Sequence, residues 1–282
     1  MRIAIVAPGS RLDLTIPARI LPLAAALYPG RALALHFHPQ CFRSSGHFAG
    51  TDDERAAAFL EVANDPAIDA VWFARGGYGA GRVARLAVDR LTETAARKTY
   101  LGYSDSGMLL AALYARGFVD VAHGPMPADL NREGGEAAIG RALSYLLDRA
   151  PTAVEPSVSA SAPAAAFNIT ILSHLIGTSF EPDLTAHVLM LEEVSEYMYR
   201  IDRALLHIAG SGLIKRIAGI RLGRCSAIPA NDPDFGQTEE QIARHWCEVA
   251  RIPYLGRADI GHDAANKVVP FGAWRARLNT VA

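Results

Sequence analysis

Length, composition and charge place this chain among ordinary globular proteins. It has 282 residues, of which 50% are apolar and 20% are charged, and its formal net charge is −1. The length allows one large domain or two ordinary ones. The balanced charge gives no excess of positive charge of the kind that binds nucleic acid or an anionic membrane surface. No apolar run approaches the ~20 residues that span a bilayer. The 3 cysteines are widely spaced and form no metal-binding or redox motif, so we expect a reduced, cytoplasmic protein without a membrane or nucleic-acid partner.

Strands and helices alternate at short spacing through the first half of the chain. Apolar segments predict buried strands at residues 3–7, 32–37, 68–74, 99–102 and 118–122. Helices are predicted between and after them, at residues 16–28, 54–60, 83–88, 108–114 and 136–147, the second of these capped by Thr51 or Asp52. This alternation predicts a Rossmann- or flavodoxin-like parallel sheet with helices on both faces. Functional sites of such sheets lie beyond the carboxyl ends of the strands.

The second half of the chain is smaller and mixed. We predict an N-terminal α/β domain over residues 1–150, a linker rich in Pro, Ser and Ala over 151–165, and a C-terminal domain over 166–282. The elements predicted in the C-terminal domain are an apolar segment at 169–175, a buried strand at 188–191 that two glutamates follow, a helix at 197–208, a strand at 217–222, a helix at 238–249 and a last strand at 268–278.

Ser104 lies where a predicted strand turns into a helix. The apolar run ends at Gly102, and helical character resumes at Met108. A serine on such a turn exposes its hydroxyl beside the free N–H groups of the new helix, and a serine nucleophile needs both. On these residues alone, the interpretation of Ser104 or Asp105 as an ordinary helix cap is favoured over a nucleophile. The usual nucleophile elbow reads G-x-S-x-G, and Ser106 stands here at the last glycine, which disfavours an ordinary α/β-hydrolase.

A glycine-rich run, Gly76-Gly77-Tyr78-Gly79, follows the third predicted strand. It indicates a tight turn or a close approach of the backbone to another group, as in an oxyanion hole or an anion-binding nest. Residues 79–84 also fit the dinucleotide fingerprint G-x-G-x-x-G/A, although this match follows the third strand and not the first. The sequence therefore leaves open an oxyanion hole, a nucleotide-binding loop and a plain strand-to-helix turn.

Glu192 and Glu193 close a predicted strand, and His262 lies in a polar loop after a glycine. Adjacent strand residues point to opposite faces, so at most one glutamate faces a given site. By themselves, the glutamates are also typical of a solvated strand end, and a loop histidine is usually a surface group. His123, at a strand end near Ser104, competes with His262. A serine, an imidazole and a carboxylate would together complete a triad, because the base needs a carboxylate to hold its tautomer.

Eight short motifs, in order along nearly the whole chain, resemble the LD-carboxypeptidase family of serine peptidases. They occur at residues 48–55, 74–79, 102–105, 123–126, 175–178, 191–194, 199–203 and 261–262. The resemblance implies a triad of Ser104, His262 and Glu192. It also implies an oxyanion hole made by the backbone N–H groups of Gly77 and Asp105.

The same resemblance implies an activity and a setting. We expect a cytoplasmic serine carboxypeptidase without metal or cofactor. Its substrate is expected to be a small peptide in which a C-terminal D-residue follows an L-residue, as in the murein tetrapeptide of cell-wall recycling. The family is often dimeric, with the serine in one domain and the rest of the triad in the other, so we expect a homodimer with its site between the domains. Arg75 and Arg203 are candidates for the cation that meets the substrate carboxylate, and Tyr78 for a further substrate contact.

Two departures from the family pattern bear on the substrate. Residues 166–169 stand where the family often has Gly-Gly-Asn-Leu, and Asp263 replaces the last glycine of a Gly-His-Gly loop. Neither departure touches the triad, but we expect both to affect the shape of the pocket. The alternatives are therefore the branch of the family that inactivates microcin C by cutting a peptide–nucleotide amide, and a nucleotide-binding or peptidoglycan-fragment-binding module without catalysis.

Overall fold

A computed structural model describes residues 1–274 as two sheets flanked by helices. The first half contains β1 (Arg2–Val6), α1 (Ile16–Leu27), β2 (Ala34–Phe37), α2 (Asp52–Asn64), β3 (Ala70–Phe73), α3 (Ala80–Ala87), α4 (Glu93–Ala96), β4 (Thr99–Gly102), α5 (Gly107–Ala115), β5 (Val121–His123) and α6 (Gly135–Asp148). The second half contains β6 (Ala164–Asn168), α7 (Ile169–Leu175), β7 (Val188–Val194), α8 (Met198–Gly210), β8 (Gly219–Ser226), α9 (Glu239–Ala250), β9 (Tyr254–Arg257) and β10 (Val269–Pro270).

The first sheet has the strand order β10-β5-β4-β3-β1-β2, and β1 to β5 run parallel. Successive residues of β1 face opposite layers: Ala4 and Val6 pack with α2, α3 and α5, whereas Ile3 and Ile5 pack with α1 and α6. The sheet is therefore covered by helices on both faces, as the alternating pattern predicts. The N-terminal fold class is confirmed.

The second sheet is smaller, and its four strands run parallel in the order β6-β7-β8-β9. Its helices bury Leu172, Leu205 and Ile242 in the same apolar cluster that holds Leu109 and Leu113 of α5. The two sheets therefore share one continuous core between them. Among the residues that the structure describes, no helix combines the length and the apolar character that crossing a membrane requires.

The segment predicted as a linker is packed against the second half of the chain. Val154 forms a bridge with Val268, and the buried Glu155 accepts hydrogen bonds from the backbone N–H groups of Ser157 and Asp259. The end of this segment, at Ala164, already belongs to β6. The division into domains at residues 151–165 stays a prediction.

The last predicted strand is much shorter than expected within the described residues. Only Val269 and Pro270 form a strand, which pairs antiparallel with β5 at the edge of the first sheet. The rest of the predicted strand after residue 274 lies outside the described residues. Because β10 pairs with β5, the C-terminal part of the chain returns to the sheet that carries Ser104.

Candidate active site

Ser104 lies on a sharp turn directly after β4, at the carboxyl edge of the first sheet. Its φ of 57° is in the left-handed region, and a short 3₁₀ turn, Ser104–Ser106, leads from it into α5. A non-glycine residue in this region is strained, and such strain is typical of functional turns. Gly102 permits the close packing below the turn, since a Cβ there would come within 2.8 Å of the Phe73 side chain. The strand, turn and helix expected around Ser104 are present.

The glycine loop after β3 passes directly over Ser104. A Cβ at Gly76 would lie 2.7 Å from Ser104 Oγ and 3.6 Å from the backbone nitrogen of Asp105. Gly77 has a φ of 100°, and its Cβ would come within 2.2 Å of Ser10 Oγ. Only glycine fits both positions, because any side chain would collide with Ser104 or Ser10. The peptide backbone of the loop is thereby brought next to the serine hydroxyl, as an oxyanion hole requires.

The carboxylate of Asp105 fixes the glycine loop from below. Its Oδ2 accepts a hydrogen bond of 2.8 Å from the N–H of Ala80, at the start of α3. Burial raises the pKa of Asp105 to about 6, and the backbone N–H groups of Ala80 and Gly79 and the charge of Arg55 oppose this rise. The buried Arg55 in turn donates to the carbonyl oxygens of Pro8 and Gly79. The loop is therefore held on both sides by groups that sequence reasoning did not assign to it.

Glu192 and His262 form a buried pair. Glu192 is fully buried near the carboxyl end of β7, and its Oε2 lies 2.5 Å from Nδ1 of His262. Burial lowers the pKa of His262, but the charge and the hydrogen bond of Glu192 outweigh it, so that the pKa is raised overall. A proton held on Nδ1 by the carboxylate leaves Nε2 as the basic nitrogen, which is the tautomer that a general base needs.

Glu193 points to the other face of β7, as strand parity predicts. Its carboxylate accepts hydrogen bonds from Asn168 Nδ2, from Thr170 N and Oγ1, and from the N–H of Val194, at 2.5–2.9 Å. Burial raises its pKa, and these hydrogen bonds oppose the rise. The interpretation of the two glutamates as a solvated strand end is wrong, because both side chains are buried.

His123 does not pair with either glutamate. Its Nε2 lies 3.2 Å from Oδ1 of Asn266, the same oxygen that accepts the N–H of Gly261. Burial lowers the pKa of His123 to about 4, so that it is neutral at ordinary pH. The Tyr103 ring lies between the two imidazoles, with its centroid 5.4 Å from that of His123 and 4.8 Å from that of His262. His123 thus supports the loop that carries His262.

Ser104 and His262 open onto one cleft of about 420 Å³, which Gly77, Arg75 and Arg132 also line. A larger cavity of about 820 Å³ lies on the other side of Gly77 and is lined by Tyr78 and Asp105, among others. The residues of the proposed triad and oxyanion hole, distant in sequence, are therefore brought together. Their catalytic roles stay predictions.

The three predicted substrate contacts are spread over different surfaces. Arg75 lines the Ser104 cleft, and Tyr78, which is 59% exposed, lines the larger cavity. Arg203 lines neither of them but a neighbouring depression, which shares Thr170 and His174 with the larger cavity. Arg132 was not singled out from the sequence, because nothing in its local pattern indicates that it reaches the site. Within residues 1–274, no group of three His, Cys, Asp or Glu side chains is arranged to hold a metal ion.

Comparison with known proteins identifies the family. The protein-family sequence model of the LD-carboxypeptidase N-terminal domain matches residues 3–124, and that of the LD-carboxypeptidase C-terminal domain matches residues 163–277. The chain belongs to the LD-carboxypeptidase family. It is accordingly a serine peptidase of the carboxypeptidase type.

Curated relatives and solved structures match nearly the whole chain. A Synechocystis protein that bears the name of a carboxypeptidase is 31% identical over 94% of this chain and 90% of its own. The murein tetrapeptide carboxypeptidase of Pseudomonas aeruginosa is 26% identical over 96% of this chain and 91% of its own. The crystal structure of muramoyltetrapeptide carboxypeptidase from Oxalobacter formigenes matches with a TM-score of 0.80, 24% identity, and coverage of 98% of this chain and 96% of that one. MccF in complex with glutamyl sulfamoyl guanosine matches with a TM-score of 0.79 and 15% identity, over 96% of this chain and 91% of that one. The two structural matches show a common fold.

Proposed function

We propose that this LD-carboxypeptidase family member removes the C-terminal D-residue from a murein tetrapeptide, with Ser104, His262 and Glu192 as its triad. The observation that carries the proposal is the common cleft. A strained serine turn from the first sheet and an imidazole paired with a buried carboxylate of the second open onto the same space. These are the geometric roles by which a triad is recognised, independently of sequence order.

In the proposed reaction, Ser104 Oγ attacks the carbonyl carbon of the last peptide bond while Nε2 of His262 takes its proton. Glu192 stabilises the imidazolium that forms. The N–H groups of Gly77 and Asp105 donate to the oxyanion of the tetrahedral intermediate, which is worth about 3–4 kcal/mol for a donor of this kind. His262 then gives the proton to the leaving amine, so that the C–N bond breaks and an acyl-enzyme remains. A water molecule, deprotonated by His262, hydrolyses this ester and restores the serine.

The two cavities suit a substrate of this shape. They meet at Gly77, next to which the scissile carbonyl would lie. The smaller cleft has room for a single leaving residue, and the larger cavity for the rest of a tetrapeptide. The names of the Pseudomonas relative and of the Bacillus subtilis relative, a murein peptide carboxypeptidase by name and 29% identical, support the substrate class. A cytoplasmic location and a homodimer remain part of the proposal, because the family resemblance implies both.

Two alternatives have weaker support. Cleavage of a microcin C-type peptide–nucleotide amide rests on the likeness to MccF, which is a likeness of fold. A nucleotide-binding loop at residues 79–84 would hold phosphate at the N-terminus of α3. The Asp105 carboxylate already accepts the N–H of Ala80 there, and its charge would repel a phosphate.

The proposal is tested by incubating the protein with murein tetrapeptide and measuring free D-alanine. The wild-type protein should release it, and the Ser104→Ala variant should not, with an unchanged melting temperature. A tetrapeptide ending in L-alanine is the control for stereochemistry and should be a poor substrate. Release of D-alanine by a well-folded Ser104→Ala protein at the wild-type rate would refute the triad.

A further inference from the structure

We propose that Arg132 binds the free C-terminal carboxylate of the substrate and so makes the enzyme a carboxypeptidase rather than an endopeptidase. This inference rests on the proposed function, because it assumes that the scissile bond is the last one of the peptide. Arg132 follows the short helical turn Pro127–Asn131, which begins just beyond β5. Its side chain lines the cleft that holds Ser104 and His262.

The position of the carboxylate in the substrate restricts where its partner lies. In a peptide that ends in alanine, three bonds separate the scissile carbonyl carbon from the terminal carboxylate carbon. A cation that binds this carboxylate must therefore line the same cleft as the nucleophile. Among the described residues, the arginines that line this cleft are Arg75 and Arg132. Arg203 does not line this cleft and so does not meet this condition.

Arg132 is the better anchored of the two. Its Nε donates a hydrogen bond of 2.8 Å to Oδ1 of Asp129. Asp129 is itself buried and also accepts from the Tyr103 hydroxyl at 2.7 Å and from the N–H of Met126 at 2.8 Å. By contrast, Arg75 is exposed, and the hydrogen bond of its guanidinium is a contact of 3.4 Å to the carbonyl oxygen of Arg11. A guanidinium that is already fixed loses less conformational entropy when it binds a ligand.

The anchored guanidinium still has an open side. Asp129 engages it from the protein, yet 40% of the Arg132 side chain remains exposed, on the wall of the cleft. A planar guanidinium held by one carboxylate can present its remaining N–H groups to a second carboxylate. Tyr103, which contacts the His262 ring and donates to Asp129, links this carboxylate site to the catalytic base.

The test compares murein tetrapeptide with its C-terminal carboxamide, which lacks the negative charge but keeps the scissile bond. The wild-type enzyme should prefer the acid by roughly 10- to 100-fold in kcat/KM, as expected for a charge-assisted contact. Arg132→Gln should lose most of this preference through a higher KM for the acid, with kcat little changed, because the carboxylate takes no part in the chemical step. Arg132→Lys, which keeps the charge without the planar fork, should recover part of the preference.

Controls separate this role from a structural one. Arg244→Gln removes an exposed arginine–carboxylate pair that does not line the cleft, and this variant should keep the wild-type preference. Arg75→Gln should keep most of it as well. An undiminished preference in Arg132→Gln would overturn the proposal, and so would its loss in Arg75→Gln alone.

Binding measurements distinguish failure of this inference from failure of the proposed reaction. In a Ser104→Ala background, isothermal titration calorimetry compares the affinities for the acid and the carboxamide. Tighter binding of the acid that Arg132→Gln abolishes supports the carboxylate site, even if the wild-type protein releases no D-alanine. Equal affinities for the two peptides would overturn it, even if the wild-type protein is active.

Discussion

Replacing each of the two adjacent glutamates by glutamine should separate catalysis from stability. In Glu192→Gln, the side chain keeps its shape but no longer holds a charge 2.5 Å from Nδ1 of His262. The imidazole is then free to adopt the tautomer with its proton on Nε2, which is useless as a base. In the Ser-His-Asp triad, the analogous change lowers kcat about 10⁴-fold, equivalent to about 5 kcal/mol of transition-state stabilisation. At a pH where His262 is neutral, its stability should not fall, since the change removes a fully buried carboxylate whose Oε1 has no hydrogen-bond partner among the described residues.

Glu193→Gln should behave in the opposite way. Both oxygens of the Glu193 carboxylate face hydrogen-bond donors. In a glutamine, the NH₂ group would replace one of these oxygens and would face at least one donor without an acceptor. A buried mismatch of this kind costs about 1.5–3 kcal/mol, which lowers Tm by roughly 3–12 °C in a domain of this size. At a temperature where the variant is folded, kcat should stay near the wild-type value, because Glu193 does not contact His262. The Tm of this variant should therefore lie below that of the wild type, whereas the same substitution at an exposed glutamate would leave Tm unchanged.

The pH profile supplies a second readout of the same pair. His262 must be neutral to accept the serine proton, and its pKa is raised above the ordinary 6.5, so the acid limb of kcat/KM should lie above that value in the wild type. In Glu192→Gln the burial persists without the charge, and the limb of the residual activity should move to lower pH. The raised pKa also means that the pair stabilises the fold below the unfolded pKa of histidine, and that this contribution is lost as pH rises through the folded pKa. Steady-state kinetics and melting curves across pH measure both effects.

The activities of the two glutamine variants decide which glutamate orients His262. Nearly normal activity of Glu192→Gln together with an inactive Glu193→Gln would refute the assignment of this role to Glu192.

Three further changes test the parts around the triad. Gly77→Ala should lower kcat by 100-fold or more and also lower Tm, because its Cβ would come within 2.2 Å of Ser10 Oγ at a φ of 100°; a soluble variant with normal kcat would exclude this loop from the oxyanion hole. Ser104→Gly should be more stable than Ser104→Ala by about 1 kcal/mol, because glycine adopts the φ of 57° without strain; equal melting temperatures would show that the turn is unstrained. Activity should survive dialysis against EDTA, and its loss on chelation with recovery on adding zinc would contradict a serine mechanism.

Most of the first sheet could be predicted because β1, β3, β4 and β5 are buried on both faces. β3 and β4 are apolar runs between turn residues, and such runs are recognised without knowledge of their partners. β6 is not predicted because three of its five residues are alanines, which have little strand propensity, and the first two of them lie in the predicted linker. β9 was missed because Gly256 interrupts its four residues. β6 forms because it pairs with β7, and β9 forms because it pairs with β8. These pairings are tertiary contacts, which the local sequence does not indicate.

The members of the candidate triad could be predicted from the sequence because each of them lies in a short motif. The order Ser104, Glu192, His262 and the resemblance of eight motifs to one family were enough to name its members. The supporting groups were not, since their roles depend on contacts between distant segments. Asp129 holds Tyr103 from 26 residues away, and Asn266 holds His123 from 143 residues away. Neither side chain has a local pattern that distinguishes it from an ordinary surface polar residue.

Asp263, which departs from the family pattern, acquires a structural role. Arg224 of β8 donates to both of its carboxylate oxygens, at 2.5 and 2.9 Å, and also to Asp259 at 2.6 Å. The loop that carries His262 is thereby fastened to the second sheet, while β10 fastens its other end to the first. Asp263→Gly should therefore loosen the loop and lower kcat/KM several-fold, with a loss of stability of about 1 kcal/mol because the pair is partly exposed. Asp263→Asn, which keeps an acceptor for Arg224, is the matched variant and should retain more activity than Asp263→Gly. If both variants match the wild type in kcat/KM and Tm, the Arg224 contacts do not position His262, and the contacts with Glu192, Asn266 and β10 suffice to hold the imidazole.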